Sequence, residues 1–300
     1  MLTIGSRGSQ LALWQANWVK QRLEELGETC RIEIIVTTGD KLTETPLAGT
    51  GSKGVFIKEI EEALLAEQID LAVHSLKDMP TDLPGGLTIA AIPERAEARD
   101  ALVGAYKWRD LPRYARVGTS SPRRAAQLKA LRPDLKIEPV RGNVDTRLRK
   151  LDEEQFDTLV LAAAGLIRLG LEARIAEVLS PEIMLPAVGQ GALAIETRAD
   201  GGAGFAAARK LNHNRSAICA VAERTVLASL GGGCQVPIGV YARMDNLLHI
   251  EGIVISPDGV TSVRRKTSGD PRRPEVIGDR LAKTLLQYGG REILAEAGRR

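Results

Sequence analysis

The sequence predicts an α/β protein of more than one domain, and three observations predict it. At 300 residues the chain is longer than one ordinary domain of about 100 to 200 residues. Short apolar runs alternate with amphipathic segments, as expected of parallel strands joined by helices. The alternation also begins twice in a similar way. Ile4-Gly5-Ser6-Arg7-Gly8-Ser9 and Val117-Gly118-Thr119-Ser120-Ser121 each read as a strand ending in a small polar turn that opens a helix.

In chain order, Leu2–Gly5 reads as a strand, followed by a helix carrying Leu11, Trp14, Trp18, Leu23 and Leu26 and stopped by Gly27. Arg31–Thr37 is a β-rich run, followed by a loop through Gly39-Asp40-Lys41 and Gly49–Gly54. A helix from Phe56 to Glu67 precedes Ile69–His74, a short apolar run of the kind found in buried parallel strands. The periodicity stops at Pro93–Asp100 and restarts with a strand at Val117 and a helix from Pro122. A strand at Lys136–Val140, a helix from Val144 and a strand at Asp157–Ala163 complete this second unit. Beyond it come a strand at Ala192–Glu196 and a helix over Ser216–Leu230 that runs into Gly231-Gly232-Gly233. The β-like runs Leu247–Ile255 and Gly259–Lys266 and a helix from Pro274 predict a smaller α+β domain.

Hydrophobic residues at 44% and charged residues at 26% exclude a disordered chain. No run approaches 18 apolar residues, and the first residues lack the basic and apolar regions of a signal peptide. A cytoplasmic protein that does not enter the membrane is expected. Cys30, Cys219 and Cys234 are scattered, with no CxxC pair, so neither a disulfide framework nor a zinc site is predicted, and no metal is expected. The net charge of +3 conceals cation-rich stretches at Arg123-Arg124 and Arg141–Arg149, which suit either a solvated basic face or an anion site. Only 3% of residues are aromatic and no nucleic-acid-binding motif is present, which argues against a nucleic-acid partner.

Three clusters carry chemistry. Ser121 before Pro122 has the order of an N-cap followed by proline at the first helical position, and with Arg123 and Arg124 this helix start suits an anion. It would also serve as a well-capped helix with two solvated arginines. In His74-Ser75-Leu76-Lys77-Asp78 a carboxylate follows an apolar strand, where it could move a proton, offset a cationic intermediate or form an exposed loop salt bridge. His74 reads as a packed strand-end histidine with no partner. Cys234 follows three glycines, in a tightly turned loop that could present a nucleophile or simply end a helix.

Together these segments resemble the porphobilinogen deaminase (hydroxymethylbilane synthase) family over nearly the whole chain. The resemblance is carried by Ser6–Ala16, Lys53–Glu59, His74–Pro80, Gly118–Arg124, Arg141–Leu148, Ala164–Gly170, Leu185–Gly191 and Gly232–Pro237. It implies two lobes similar to those of periplasmic binding proteins and a small α+β C-terminal domain. Lobe 1 would comprise 1–95 and 192–212, lobe 2 96–191, and the C-terminal domain 213–300. It also implies a dipyrromethane cofactor joined by thioether to Cys234, with Lys77, Asp78, Ser75, Thr119, Ser120, Ser121, Arg123, Arg124, Arg141 and Gly142 around it. Porphobilinogen and the growing polypyrrole would meet Arg7, Ser9, Lys53, Arg147, Arg168 and Gln190, and Asp78 would be the catalytic residue. The implied enzyme is a monomeric transferase that condenses four porphobilinogen molecules head to tail, releasing ammonia. Arginine suits a ligand that gains carboxylates at every step, because its planar fork binds them in pairs and stays charged. The competing reading is a non-catalytic two-lobed anion-binding protein, which would need neither Cys234 nor Asp78.

Overall fold

The computed structural model describes residues 1–41, 57–231 and 237–297. The chain begins with β1 (Leu2–Ser6), α1 (Gln10–Glu25), β2 (Cys30–Ile34), α2 (Thr38–Lys41), α3 (Lys58–Leu65), β3 (Leu71–Ser75) and β4 (Leu87–Ala91). It continues with β5 (Asp100–Gly104), β6 (Arg116–Gly118), α4 (Pro122–Leu131), β7 (Lys136–Glu138), α5 (Val144–Asp152), β8 (Thr158–Ala162), α6 (Ala163–Arg168) and β9 (Ile175–Val178). Then follow β10 (Leu193–Arg198), α7 (Ala203–Arg209), α8 (Asn214–Ser229), β11 (Ile238–Met244), β12 (Leu248–Ile255), β13 (Ser262–Gly269), α9 (Pro274–Leu285) and α10 (Arg291–Ala297).

Two compact units result, Met1–Ala96 with Gly191–Ala217, and Glu97–Gln190 with Ile218–Arg300. The sheet of the first unit has the order β2-β1-β3-β10-β4, with β1, β2 and β3 parallel and β10 antiparallel to both its neighbours. Alternation along β3 divides its side chains between two helices. Leu71 and Val73 pack with Ala16, Val19 and Leu23 of α1, while Ala72 packs with Ile60, Ala63 and Leu64 of α3. Leu23 and Leu64 are fully buried, worth about 1.5 to 3 kcal/mol each relative to exposure.

The second unit repeats the plan in its sheet β7-β6-β8-β5-β9, where β6, β7 and β8 are parallel and β5 is antiparallel to β8 and β9. In each sheet the antiparallel strand, β5 or β10, is the first strand after the chain changes unit. The same unit contains the antiparallel meander β11-β12-β13, one face of which shares a core with α9 through Val240, Ile250, Val254, Ile277, Leu281 and Leu285. The fold is thus α/β, with two lobes of one design and a small α+β C-terminal portion, as the resemblance implies.

Several local expectations need correction. Both five-stranded sheets are mixed: the run predicted as a buried parallel strand pairs with β1 in parallel and with β10 antiparallel, which places an element 120 residues downstream beside it. The strands β4, β5, β9 and β11 were not foreseen: β4, β5 and β9 are five residues or shorter without strict alternation, while the alternation of Ile238, Val240, Ala242 and Met244 along β11 was a signal passed over. On α1 the buried residues are Gln15, Ala16, Val19 and Leu23, whereas Trp14 and Leu26 are exposed. Strand β2 ends at Ile34, and Thr38–Lys41 forms a helical turn where a loop was predicted. The Gly49–Gly54 segment and Phe56 lie outside the described residues.

Candidate active site

Because β1, β2 and β3 are parallel, their carboxyl ends share one edge of the first sheet, the usual place for ligands in open α/β sheets. Arg7 follows β1, and its Nε and Nη2 donate to Asp40 Oδ1 at 3.0 and 2.5 Å. Burial raises the Asp40 carboxyl, but hydrogen bonds from Arg7 and Thr37 outweigh it and hold the group below its ordinary value. Ser9 caps α1, its Oγ accepting from Ala12 N at 3.4 Å. At the end of β3, Ser75 Oγ accepts from Gln15 Nε2 at 2.9 Å. The turn Leu76–Asp78 follows, pinned by Leu76 N donating to Ala192 O at 3.0 Å and Met79 N to Leu76 O at 3.1 Å. Leu76 and Met79 are buried on either side, so the turn is anchored while Asp78 stands exposed and Lys77 half-buried. His74 does have a partner, contrary to expectation: its Nε2 lies 3.1 Å from Glu196 Oε2 on β10. Lys53 lies outside the described residues.

The parallel strands β6, β7 and β8 bring a second group of predicted residues to the corresponding edge of the second sheet. Thr119 is buried, and its Oγ1 accepts from Ser121 N at 3.2 Å. Ser120 Oγ donates to Val140 O at 2.8 Å. Ser121 caps α4 with Pro122 at the first helical position, as predicted. Arg123 and Arg124, however, are buried rather than solvated. Arg123 Nη1 donates to Asp100 Oδ2 at 2.8 Å and Arg124 Nε to Asp100 Oδ1 at 2.9 Å. Gln190 Nε2 adds a third donor to Asp100 at 3.0 Å. Burial raises the Asp100 carboxyl, and the charges of Arg123 and Arg124 overcome it to hold the group at about 2. One carboxylate thus faces two guanidinium groups, leaving an excess positive charge at the start of α4.

After β7, Arg141 is exposed, and Arg147 Nε donates to Gly142 O at 2.8 Å. Gly142 has φ +107°, and a Cβ there would lie 2.7 Å from Thr146 Cγ2, so only glycine suits this turn. Arg168 ends α6 and is buried; desolvation pushes its guanidinium down to about 10, still charged at neutral pH. Cys234 lies outside the described residues, and the other two cysteines, Cys30 and Cys219, are buried. A cavity of about 380 Å³ on the outer face of the meander is lined by Tyr241, Arg243, His249, Glu251 and Lys266, none of them a predicted site residue.

Three charged partners escaped sequence reasoning: Asp40, Asp100 and Glu196. Asp100 opens the apolar run Ala101-Leu102-Val103, and Glu196 sits inside Leu193–Thr197. An acid in or beside a buried strand was the available signal, since such a group is rarely unpaired.

Fold and strand edges together define a two-lobed α/β protein whose strand ends present hydroxyls and guanidinium groups suited to carboxylates, with one anchored and exposed carboxylate at Asp78. Comparison with known proteins narrows this class. Residues 2–203 match the family model described as "Porphobilinogen deaminase, dipyromethane cofactor binding domain", and residues 217–287 match "Porphobilinogen deaminase, C-terminal domain". The porphobilinogen deaminase of Geotalea uraniireducens is 48% identical over 303 residues, covering 100% of this chain and 95% of that protein. That of Thiobacillus denitrificans is 50% identical over 298 residues, covering 98% and 97%. Among solved structures, the methionine-binding protein MetQ aligns at 13% identity over 70% of this chain and 89% of its own, with a TM-score of 0.43. The chain belongs to the porphobilinogen deaminase family, whose members are transferases. The described part of its cofactor-binding region contains both strand edges. Among the described residues, no helix is long and apolar enough to cross a membrane.

Proposed function

We propose that the chain condenses four porphobilinogen molecules head to tail, with loss of ammonia, to give the linear tetrapyrrole hydroxymethylbilane, and that Asp78 is its catalytic residue. The observation that carries the residue assignment is the Leu76–Asp78 turn, which holds an exposed carboxylate between two buried apolar anchors at the edge that also carries Arg7 and Ser75. Protonation of the substrate's amino group lets ammonia leave, and the resulting cation is stabilised by the Asp78 carboxylate. The same carboxylate can accept hydrogen bonds from pyrrole N–H groups.

The donor set fits a dipyrromethane, which carries several carboxylates: the excess positive charge at the start of α4 and the hydroxyls of Thr119, Ser120 and Ser121 are matched to such a group. Thioether attachment falls to Cys234, and the cofactor supplies a free pyrrole α-carbon as nucleophile. In this reading Ser75, Lys77, Asp78, Arg123, Arg124, Arg141 and Gly142 complete the cofactor set. Arg7, Ser9, Lys53, Arg147, Arg168 and Gln190 serve porphobilinogen and the polypyrrole, with Gln190 acting through its hydrogen bond to Asp100. Segments 1–95 with 192–212, 96–191 and 213–300 act as three domains, the last carrying the cofactor cysteine. The enzyme works as a monomer in the cytoplasm, which accords with three scattered cysteines and no CxxC pair in the sequence.

Intact-mass measurement tests the proposal. Purified protein should carry an addition corresponding to two deaminated porphobilinogen units, and Cys234→Ser should lack it. A fully active wild-type chain of unmodified mass would overturn the assignment of Cys234.

A further inference from the structure

Among the described residues of the first unit, three buried acid or imidazole side chains have no part in the reaction described above: His74 near the end of β3, Glu196 on β10 and Glu61 on α3. In the antiparallel register Ala194 lies opposite His74 and Ala72 opposite Glu196, so the two side chains are diagonal neighbours on the sheet face that packs against α3. His74 Nε2 meets Glu196 Oε2 at 3.1 Å. The second oxygen of Glu196, Oε1, and Glu61 Oε1 are both buried without a hydrogen-bond partner.

Arg198, two residues along β10 from Glu196 and on the same face, is engaged elsewhere: it donates to Leu64 O of α3 at 2.9 Å and Ile69 O at 2.8 Å and pairs with Asp70 and Asp200. On α3, Lys58 and Glu62 are exposed and pair with each other, and Glu59 accepts from Thr38 N and Oγ1. The flanking strands β1 and β4, Leu-Thr-Ile-Gly-Ser and Leu-Thr-Ile-Ala-Ala, bring no charged side chain. No group of three His, Cys, Asp or Glu among the described residues is placed to hold a metal ion. Two buried carboxyls beside one imidazole cannot both stay ionised without leaving a charge unpaired. A proton retained on Glu61 removes one of the two buried charges. Burial first, then the charge of Glu196, pushes the Glu61 carboxyl up, with His74 opposing.

We propose that Glu61, Glu196 and His74 form a buried acid–imidazole network that positions the turn bearing Asp78. His74 directly precedes Ser75, whose hydroxyl is held by Gln15 of α1, while α3 packs on the opposite face of the strand. The strand end is therefore gripped on both faces just before Leu76–Asp78. Glu61 holds the retained proton, and all three are positioning residues, acting through the turn. The inference rests on Asp78 as the catalytic carboxylate, an assignment that Asp78→Asn tests separately.

The test compares cofactor-loaded wild type with Glu61→Gln and Glu196→Gln. A carboxyl raised in the folded state contributes stability that is complete below its unfolded value of about 4.3 and is lost as pH rises through the folded value. An amide at position 61 cannot lose that contribution, so the Tm of Glu61→Gln should rise relative to wild type as pH increases. The alkaline limb of its kcat profile should move up by about half a pH unit or more, with KM for porphobilinogen within about twofold. Glu196→Gln should lower kcat by about tenfold at similar KM. A Tm difference between wild type and Glu61→Gln that does not vary with pH would sink the network. A pH-dependent difference accompanied by superimposable kcat profiles would sink its positioning role. If Glu196→Gln does not fold, Glu61→Gln decides alone.

Discussion

Replacing Asp100 by asparagine should destabilise the second unit more than any conservative change at its surface. The carboxylate is fully buried and accepts from Arg123, Arg124 and Gln190, with both arginines buried as well. Asparagine keeps the size but removes the charge, leaving two guanidinium groups uncompensated. Breaking a buried pair from one side costs about 3 to 5 kcal/mol. For a unit of this size that is a fall in Tm of roughly 6 to 20 °C. The pH dependence has a definite sign. Asp100 is held at about 2 in the folded protein, below the ordinary carboxylate value of about 3.9. Its stabilisation is complete above the unfolded value and is lost as pH falls through the folded one, an effect on the order of 2 to 3 kcal/mol. The gap between wild type and variant in calorimetric melts should therefore be widest near neutrality and narrow as pH drops from about 4 toward 2. A variant melting within about 2 °C of wild type at pH 7 would refute the claim that Asp100 neutralises this arginine pair.

Asp78→Asn should lower kcat by about a hundredfold or more while KM stays within about threefold, because charge is lost and size is kept; near wild-type turnover by the cofactor-loaded variant would rule Asp78 out. Arg7→Leu and Arg147→Leu should halt elongation at different chain lengths, seen as different bound species in mass spectra after limited substrate; identical distributions, merely slowed, would contradict successive roles for these arginines. Gly142→Ala should cost about 1 kcal/mol or more, since φ +107° and the 2.7 Å approach to Thr146 both oppose a side chain. It should also weaken substrate binding by disturbing the turn whose carbonyl holds Arg147, and an unchanged Tm and KM would contradict this.

Much of the fold was legible because it is local. Gly27, with φ +86°, ends α1 where the residue type said it should, and Ser121-Pro122 opens α4 with the predicted cap. Pairings between distant segments left no such mark. Nothing near His74 names Glu196, 122 positions away, and nothing in Arg123-Arg124 names the aspartate that meets both. For the same reason the mixed character of the sheets was hidden: β10 alternates no differently whether it runs parallel or antiparallel to β3. The turn carrying Asp78 was readable from its motif. What anchors it, the burial of Leu76 and Met79 and the bond to Ala192, required the three-dimensional structure.

The central claim, that porphobilinogen is added stepwise to a primer attached at Cys234, is tested most directly by mass spectrometry of the intact protein after limited porphobilinogen. The account predicts a ladder of covalent species above the cofactor-loaded mass, with one, two and three added pyrroles, ammonia released in step, and no ladder in Cys234→Ser. A wild-type chain that binds porphobilinogen while its mass stays constant and no ammonia appears would contradict the account and leave a two-lobed anion-binding protein in its place.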